Sequence, residues 1–373
     1  MKQFKQFLVI MSLLIPMNSM AQWEDEGWLS EGLAYVKDSN GKYGYIDEDG
    51  KVVIPCKWKD AWSFDEGLAQ VQDDNEKWGL IDKTGKLVVP CKFLYSFYFD
   101  NGLAIVQDDN EKYGIINKKG NTITPLKWKY IESLDDEGFA IVEDENEKWG
   151  LMDKTGKLVV PCKWKTFRSF DEGLAIVEDA NEKWGAIDKT GKMVIPCKWD
   201  YFDDFNDGLA LVHEDWHYGF IDRTGKVVIP CKWGSAYIFS EGLAAVMDEQ
   251  DKWGFIDKTG NLVIPCKWET TSLFSESMVI VTDGNEKCGF IDKTGKLIVP
   301  CKWDGAYSFS EGLAAVQDAN EKWGFIDKSG KLVIPCKWKD IGILGFEDGT
   351  ASVQDENEEW VTIDKKGNIV KEE

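Results

Sequence analysis

Histidine is nearly absent from this sequence: 2 among 373 residues, both in one pentapeptide, "HEDWH" at 213–217. Basic residues are also in short supply. The 44 Lys and Arg face 66 Asp and Glu, a net charge of -22. Beyond residue 22 no apolar run is long enough to cross a bilayer, and no window carries a helical period with caps. Each shortage excludes something. So acidic a surface repels nucleic acid and anionic membranes. Two histidines in one short stretch cannot build a Ser-His-Asp set. No Gly-rich phosphate loop lies between a strand and a helix, and no Cys-x-x-Cys pair supports a metal site. No cofactor is expected, and no enzyme.

The first residues, "MKQFKQFLVIMSLLIPMNSMAQ", hold two lysines, an apolar stretch from Phe7 to Pro16 and a small-residue end. That is the layout of a signal peptide, residues 1–21, cleaved after Ala21. The mature chain, 22–373, is then expected in the periplasm or outside the cell, with no membrane insertion after cleavage. No Cys follows the cleavage point to carry a lipid anchor.

What the chain has in abundance is repetition. The segment "FSEGLAAVQDANEKWGFIDKSGKLVIPCKW", Phe309 to Trp338, recurs in close copies from one end to the other. The proline of its end falls at Pro55, Pro90, Pro125, Pro161, Pro196, Pro230, Pro265, Pro300 and Pro335, a period of about 35 residues. Ten Trp-Gly segments begin at Tyr43, Trp78, Tyr113, Trp149, Trp184, Tyr218, Trp253, Cys288, Trp323 and Trp360. No linker interrupts them.

Each copy reads as short antiparallel strands. "GLAAV" is a first apolar run and "DANEK" a polar reversal. "WGFID" follows, with Trp and Phe on one face. "DKTGK" has the form of a three-residue hairpin loop, with Gly at the left-handed position. "KLVIP" is a third strand, ended by a proline that cannot donate to a ladder. The reading is all-β. It also disposes of the H-E-x-x-H match, which binds zinc only on a helix. Aligned on the repeat, "LVHEDWHYGFID" replaces "AVQDANEKWGFID" with one residue fewer, so His213 to His217 span a hairpin.

The repeated "EKWGFIDKSGKLVIPCKW" (Glu321 to Trp338) resembles the WG-repeat, or KWG-repeat, family of bacterial proteins, from about Trp28 to Val370. Departures are local: Cys288 for the aromatic, Val361 for the Gly after Trp360, Ser277 for the Gly of "EGLA". The resemblance implies a non-catalytic repeat that mediates binding, and brings no catalytic residues. Units that cannot bury their apolar faces alone must stack. An open β-solenoid or superhelical array is preferred. A closed β-propeller is the alternative, since "IDKTGKLIVPCKW" is also similar to the ends of quinoprotein-type propeller blades.

Eight of the nine cysteines fall directly after the repeat proline, where Leu126 stands in the odd copy. A row of buried thiols fits that exchange best; disulfides between units or a metal array are the other readings. The Trp-Gly pairs Trp78–Gly79, Trp149–Gly150, Trp184–Gly185, Trp253–Gly254 and Trp323–Gly324 recur so regularly that core packing is favoured over a sugar-stacking platform. Turns such as "DDNEK" (Asp73 to Lys77) lack the D-x-D-x-D-G pattern of calcium loops and read as solvated. The "DEG" and "SEG" acids recur identically, whereas a glycosidase needs two carboxylates in different environments.

The variable stretches between the fixed ones are therefore the candidate binding surface: Tyr95, Phe97, Phe167, Arg168, Tyr201, Phe202, Tyr237 and Tyr307. The expectation is a monomeric exported scaffold for an unknown protein partner. A cell-wall or polysaccharide-binding module is the alternative.

Overall fold

The computed structural model describes residues 23–343 and 345–370; the expected signal peptide at 1–21 lies outside them. Among the described residues there is no helix, and strands form ten small antiparallel sheets. One sheet explains the others. Asp60–Ala61, Leu68–Gln72, Trp78–Asp82 and Leu87–Phe93 pair as a meander in chain order. Three of these strands follow the sequence reading. The first does not: "KDAWSF" was expected only to carry the chain onward. Instead Asp60 and Ala61 pair with Gln72 and Val71, flanked by Lys59 N–H to Gln72 O at 2.8 Å and Trp62 N–H to Gln70 O at 3.0 Å. Two residues are too few for an alternation to be read from sequence.

The glycine after the ring has a backbone cause. Trp78 pairs with Phe93 and Leu80 with Val89, so Pro90, Cys91 and Lys92 all stand opposite Gly79. The third strand bulges there, and its proline sits where no ladder donor is needed. A Cβ on Gly79 would come 2.5 Å from Val89 O and 2.8 Å from Cys91 N. Only a hydrogen fits.

The hairpin after the Trp-Gly strand is built by its aspartate. Asp82 Oδ1 accepts the Thr84 N–H at 2.9 Å and the Thr84 hydroxyl at 2.5 Å, while Gly85 takes a φ of +79°. The "DDNEK" hairpin places Glu76, not glycine, in the left-handed region, at +63°.

The chain divides into two compact units, Met1–Phe167 and Arg168–Glu373. Within each, a sheet packs on the next one in the chain. In the first unit, Tyr45, Ile54 and Trp58 of one sheet share a buried cluster with Ala61, Phe64 and Val71 of the next. In the second, Phe325, Ile334 and Trp338 do the same with Ile341, Phe346 and Val353. Polar ties accompany this packing at the "SEG" turns. Ser310 Oγ donates to Phe346 O at 2.7 Å, and Glu311 accepts the Gly349 N–H at 2.9 Å and meets Lys365 Nζ at 3.1 Å. In the first unit Ser30, Glu31, Phe64, Gly67 and Lys83 repeat the arrangement.

Candidate functional site

The short first strand decides what each sheet shows to solvent. Its side chains alternate. Ala61, Ile131, Ala236 and Ile341 point inward and are buried. The next residue turns outward over the first ring of the Trp-Gly strand in the same sheet. Trp62 meets Trp78 edge-on at 6.1 Å; Tyr237 stacks on Trp253 at 4.7 Å and Tyr307 on Trp323 at 5.2 Å. Arg168 lays its guanidinium 5.1 Å from the Trp184 ring centre. By sequence the same slot holds Asp203 and Ser272 in other copies. A variable residue thus covers a fixed ring, and where the variable residue is small or acidic the ring is left accessible.

The copy containing "HEDWH" departs furthest. Glu214 pairs with His217 around a two-residue turn, Asp215 and Trp216, both at positive φ (+49° and +64°). One residue fewer than in the other copies forces this tight turn and pushes the Trp216 ring out, 85% exposed. His213 pairs with Tyr218, one step further along the ladder, so the two imidazoles lie on opposite faces and cannot close on one metal. His213 instead packs against Tyr218 at 5.0 Å and Trp216 at 5.7 Å.

Beside this hairpin lies a groove of about 840 Å3. Trp184, Tyr201, Trp216 and Tyr218 supply its rings; Glu178, Glu182, Asp200 and Asp215 supply carboxylates; Lys183 supplies an ammonium. Lys183 is engaged by Asp200, which also accepts the Asp215 N–H at 3.0 Å. The Lys183 ammonium holds the Asp200 carboxyl below its ordinary range, and Asp200 in turn raises Lys183. Four carboxylates against one ammonium leave the groove strongly negative. Tyr201 and Tyr218 also line an adjoining cavity of about 570 Å3, which continues past Tyr237 to Leu273. Burial, then the neighbouring Asp203, raises the Tyr201 hydroxyl, which donates to Asp203 Oδ2 at 3.0 Å.

Comparison with known proteins bears on the repeat itself. A family described as "WG containing repeat" matches residues 43–77, 78–112, 113–149, 149–184, 184–215, 218–251, 253–286, 289–323 and 323–360. The chain belongs to the WG-repeat family. No match among curated proteins is found. Among solved structures, the computationally designed Ika8 protein is 10% identical, with a TM-score of 0.35, covering 72% of this chain and 95% of that one. BamB from Moraxella catarrhalis is 12% identical, with a TM-score of 0.32, covering 72% and 92%. Hsv2 of Kluyvelomyces marxianus is 11% identical, with a TM-score of 0.33, covering 72% and 96%. Likeness at that level says nothing about a ligand.

In WG-repeat terms the site residues sort by strand phase. Tyr95, Tyr201 and Tyr237 are exposed, and Arg168 and Tyr307 half-exposed over their rings. Phe97, Phe167 and Phe202 were expected on the same surface, and the structure buries them. Phe167 and Phe202 occupy the inward phase of the short strand; Phe97 packs on Phe93 at 5.4 Å with its N–H on Gln70 Oε1 at 2.7 Å. Trp78 and Trp253 are buried; Trp149, Trp184 and Trp323 are half-buried. Gly150, Gly185, Gly254 and Gly324 share the close backbone approach of Gly79. The second tryptophan series is deeper still, down to Trp199 with no exposure, and so is core, not a platform. All nine cysteines are free and half-buried, and burial pushes the Cys91, Cys162, Cys231 and Cys266 thiols up to about 11. Sequence reasoning missed Trp216, Asp200 and Glu178 as groove residues. The one-residue deletion was the available signal.

Proposed function

We propose that this WG-repeat chain is an exported, non-catalytic scaffold, periplasmic or extracellular, that binds a segment of a partner protein. One observation carries the reading: residues differing from copy to copy stand over a ring that barely changes, on the exposed phase of successive short strands. Aromatic anchors set in a regular frame are what a protein interface draws its affinity from. The exposed tryptophans that a sugar ladder would need, Trp28, Trp62 and Trp216, stand at three different places in the repeat and do not line up as one.

The test uses chain 22–373 immobilised against envelope protein extract and, separately, purified cell-wall polysaccharide. The expected result is a defined protein retained by the wild type and lost from a Tyr201→Ala/Tyr237→Ala variant, with no polysaccharide bound. Retention of polysaccharide, competed by free sugar, would overturn the proposal.

A further inference from the structure

We infer that the groove beside the Trp216 hairpin seats a cationic peptide segment, holding its arginine or lysine side chains between rings and carboxylates. The inference rests on the partner-protein reading and names that partner's chemistry. Charge complementarity is its first support. The groove sets Glu178, Glu182, Asp200 and Asp215 against Lys183 alone, and Lys183 is already engaged by Asp200. The chain as a whole carries -22, so a cation is drawn in from a distance and an anion turned away.

The second support is that the fold already seats its own cations this way. Arg168 lies 5.1 Å from the Trp184 ring centre and 3.5 Å from Asp204 Oδ1. Arg223 lies 4.6 Å from the Phe205 ring centre and 2.7 Å from Glu172 Oε2. A ring face plus a carboxylate is thus a working cation seat in this scaffold. The groove presents the same pairing in Trp216 with Asp215 and in Tyr201 with Asp200, open to solvent. Trp216 is also held outward by a turn with two residues at positive φ, a conformation that costs backbone energy.

The geometry also sets a spacing. The groove spans two successive sheets, and packed sheets lie about 10 Å apart while an extended chain advances ~3.3 Å per residue. Cations about three residues apart in an extended peptide would therefore reach both sheets. Such a peptide gains avidity that a single ammonium group does not.

The test titrates the intact mature chain with a Gly/Ser decapeptide bearing arginine at every third position, followed by calorimetry at low salt and at roughly 0.5 M salt. Controls are the same peptide with glutamate for arginine, and choline. The expected result is binding of the arginine peptide alone, weakened by salt and about fivefold by either Trp216→Ala or Glu182→Gln. Melting curves of both variants should match the wild type, which separates lost binding from lost fold. Equal binding of the glutamate peptide, or an unchanged affinity in Trp216→Ala, would overturn the inference. Choline binding without peptide binding would also overturn it, in favour of a small quaternary-ammonium ligand. A failed titration, with a partner protein still lost from the Tyr201/Tyr237 variant, would remove the cationic seat and leave the scaffold reading intact.

Discussion

Gly324 lies so close beneath the bulged strand opposite it that a Cβ would stand 2.5 Å from Ile334 O and 2.7 Å from Cys336 N. Gly312, in the preceding turn of the same copy, has nothing within 4 Å of its Cβ position but a φ of +85°. The two glycines are therefore needed for different reasons, and the difference is measurable. Gly324→Ala must move backbone and should cost at least 2–3 kcal/mol, the upper part of the overpacking range. Gly312→Ala pays only for its left-handed conformation, about 1 kcal/mol. Chemical denaturation of both variants checks the order. Equal losses would contradict the bulge as the cause of the Trp-Gly pair.

The two tryptophans nearest the groove should separate fold from function. Trp199 is fully buried among Phe202, Ile195 and Val212, so Trp199→Ala should cost 3–5 kcal/mol, roughly the large-to-small range for a core ring. Trp216 is 85% exposed, and Trp216→Ala should stay within about 0.5 kcal/mol of the wild type. Thermal melts of the pair give the answer. A large loss at Trp216 would mean its ring braces the hairpin instead of facing a ligand.

How much of this was legible in the sequence depends on the length of the pattern. Strands of five residues, such as Leu313–Gln317 and Trp323–Asp327, carry enough alternation to be read directly, as do the hairpins marked by Asp and Gly. The two-residue strand at Thr166–Phe167 carries none, and with it went the phase that separates buried Phe167 from half-exposed Arg168. Both looked equally variable. The groove was hidden for another reason. A deletion in "HEDWH" is visible as a lost residue, but that it tightens a turn and expels Trp216 follows from φ values, which sequence does not display.

Acid should weaken the fold through the hairpin aspartates. At Asp222, Asp257 and Asp292 the threonine hydroxyl two residues on donates to the carboxylate at 2.6 Å and, with backbone N–H groups, holds the carboxyl below its ordinary 3.8. The folded state thus binds the proton less readily than the unfolded one. Its stabilisation is complete above pH 3.8 and is lost as pH falls through the lower folded values. Melting temperatures followed from pH 6 downward should drop below about pH 4. Replacing Thr224, Thr259 and Thr294 together by Val should shrink that drop. An acid response identical in the triple variant would remove the hydroxyls from the account.

The most discriminating substitution is suggested by the odd repeat. Trp128 Nε1 donates to Thr124 Oγ1 at 2.9 Å, four residues back along its strand. Seven equivalent indoles, Trp58, Trp164, Trp199, Trp233, Trp268, Trp303 and Trp338, are buried with no partner for that N–H, because Val or Ile stands where Thr124 does. A buried unpaired donor costs about 1–3 kcal/mol. Val160→Thr keeps the shape of Val160 and offers Trp164 the acceptor that Trp128 already has. Burying a hydroxyl by Val→Thr is ordinarily destabilising; here the new hydrogen bond should offset it, leaving Val160→Thr equal to the wild type or more stable. Val177→Thr, at a fully buried position with Asn181 four residues on, is the control and should lose about 1–2 kcal/mol. Equilibrium denaturation of the two variants decides the matter, and an equal loss in both would mean that the indole at Trp164 gains nothing from the hydroxyl.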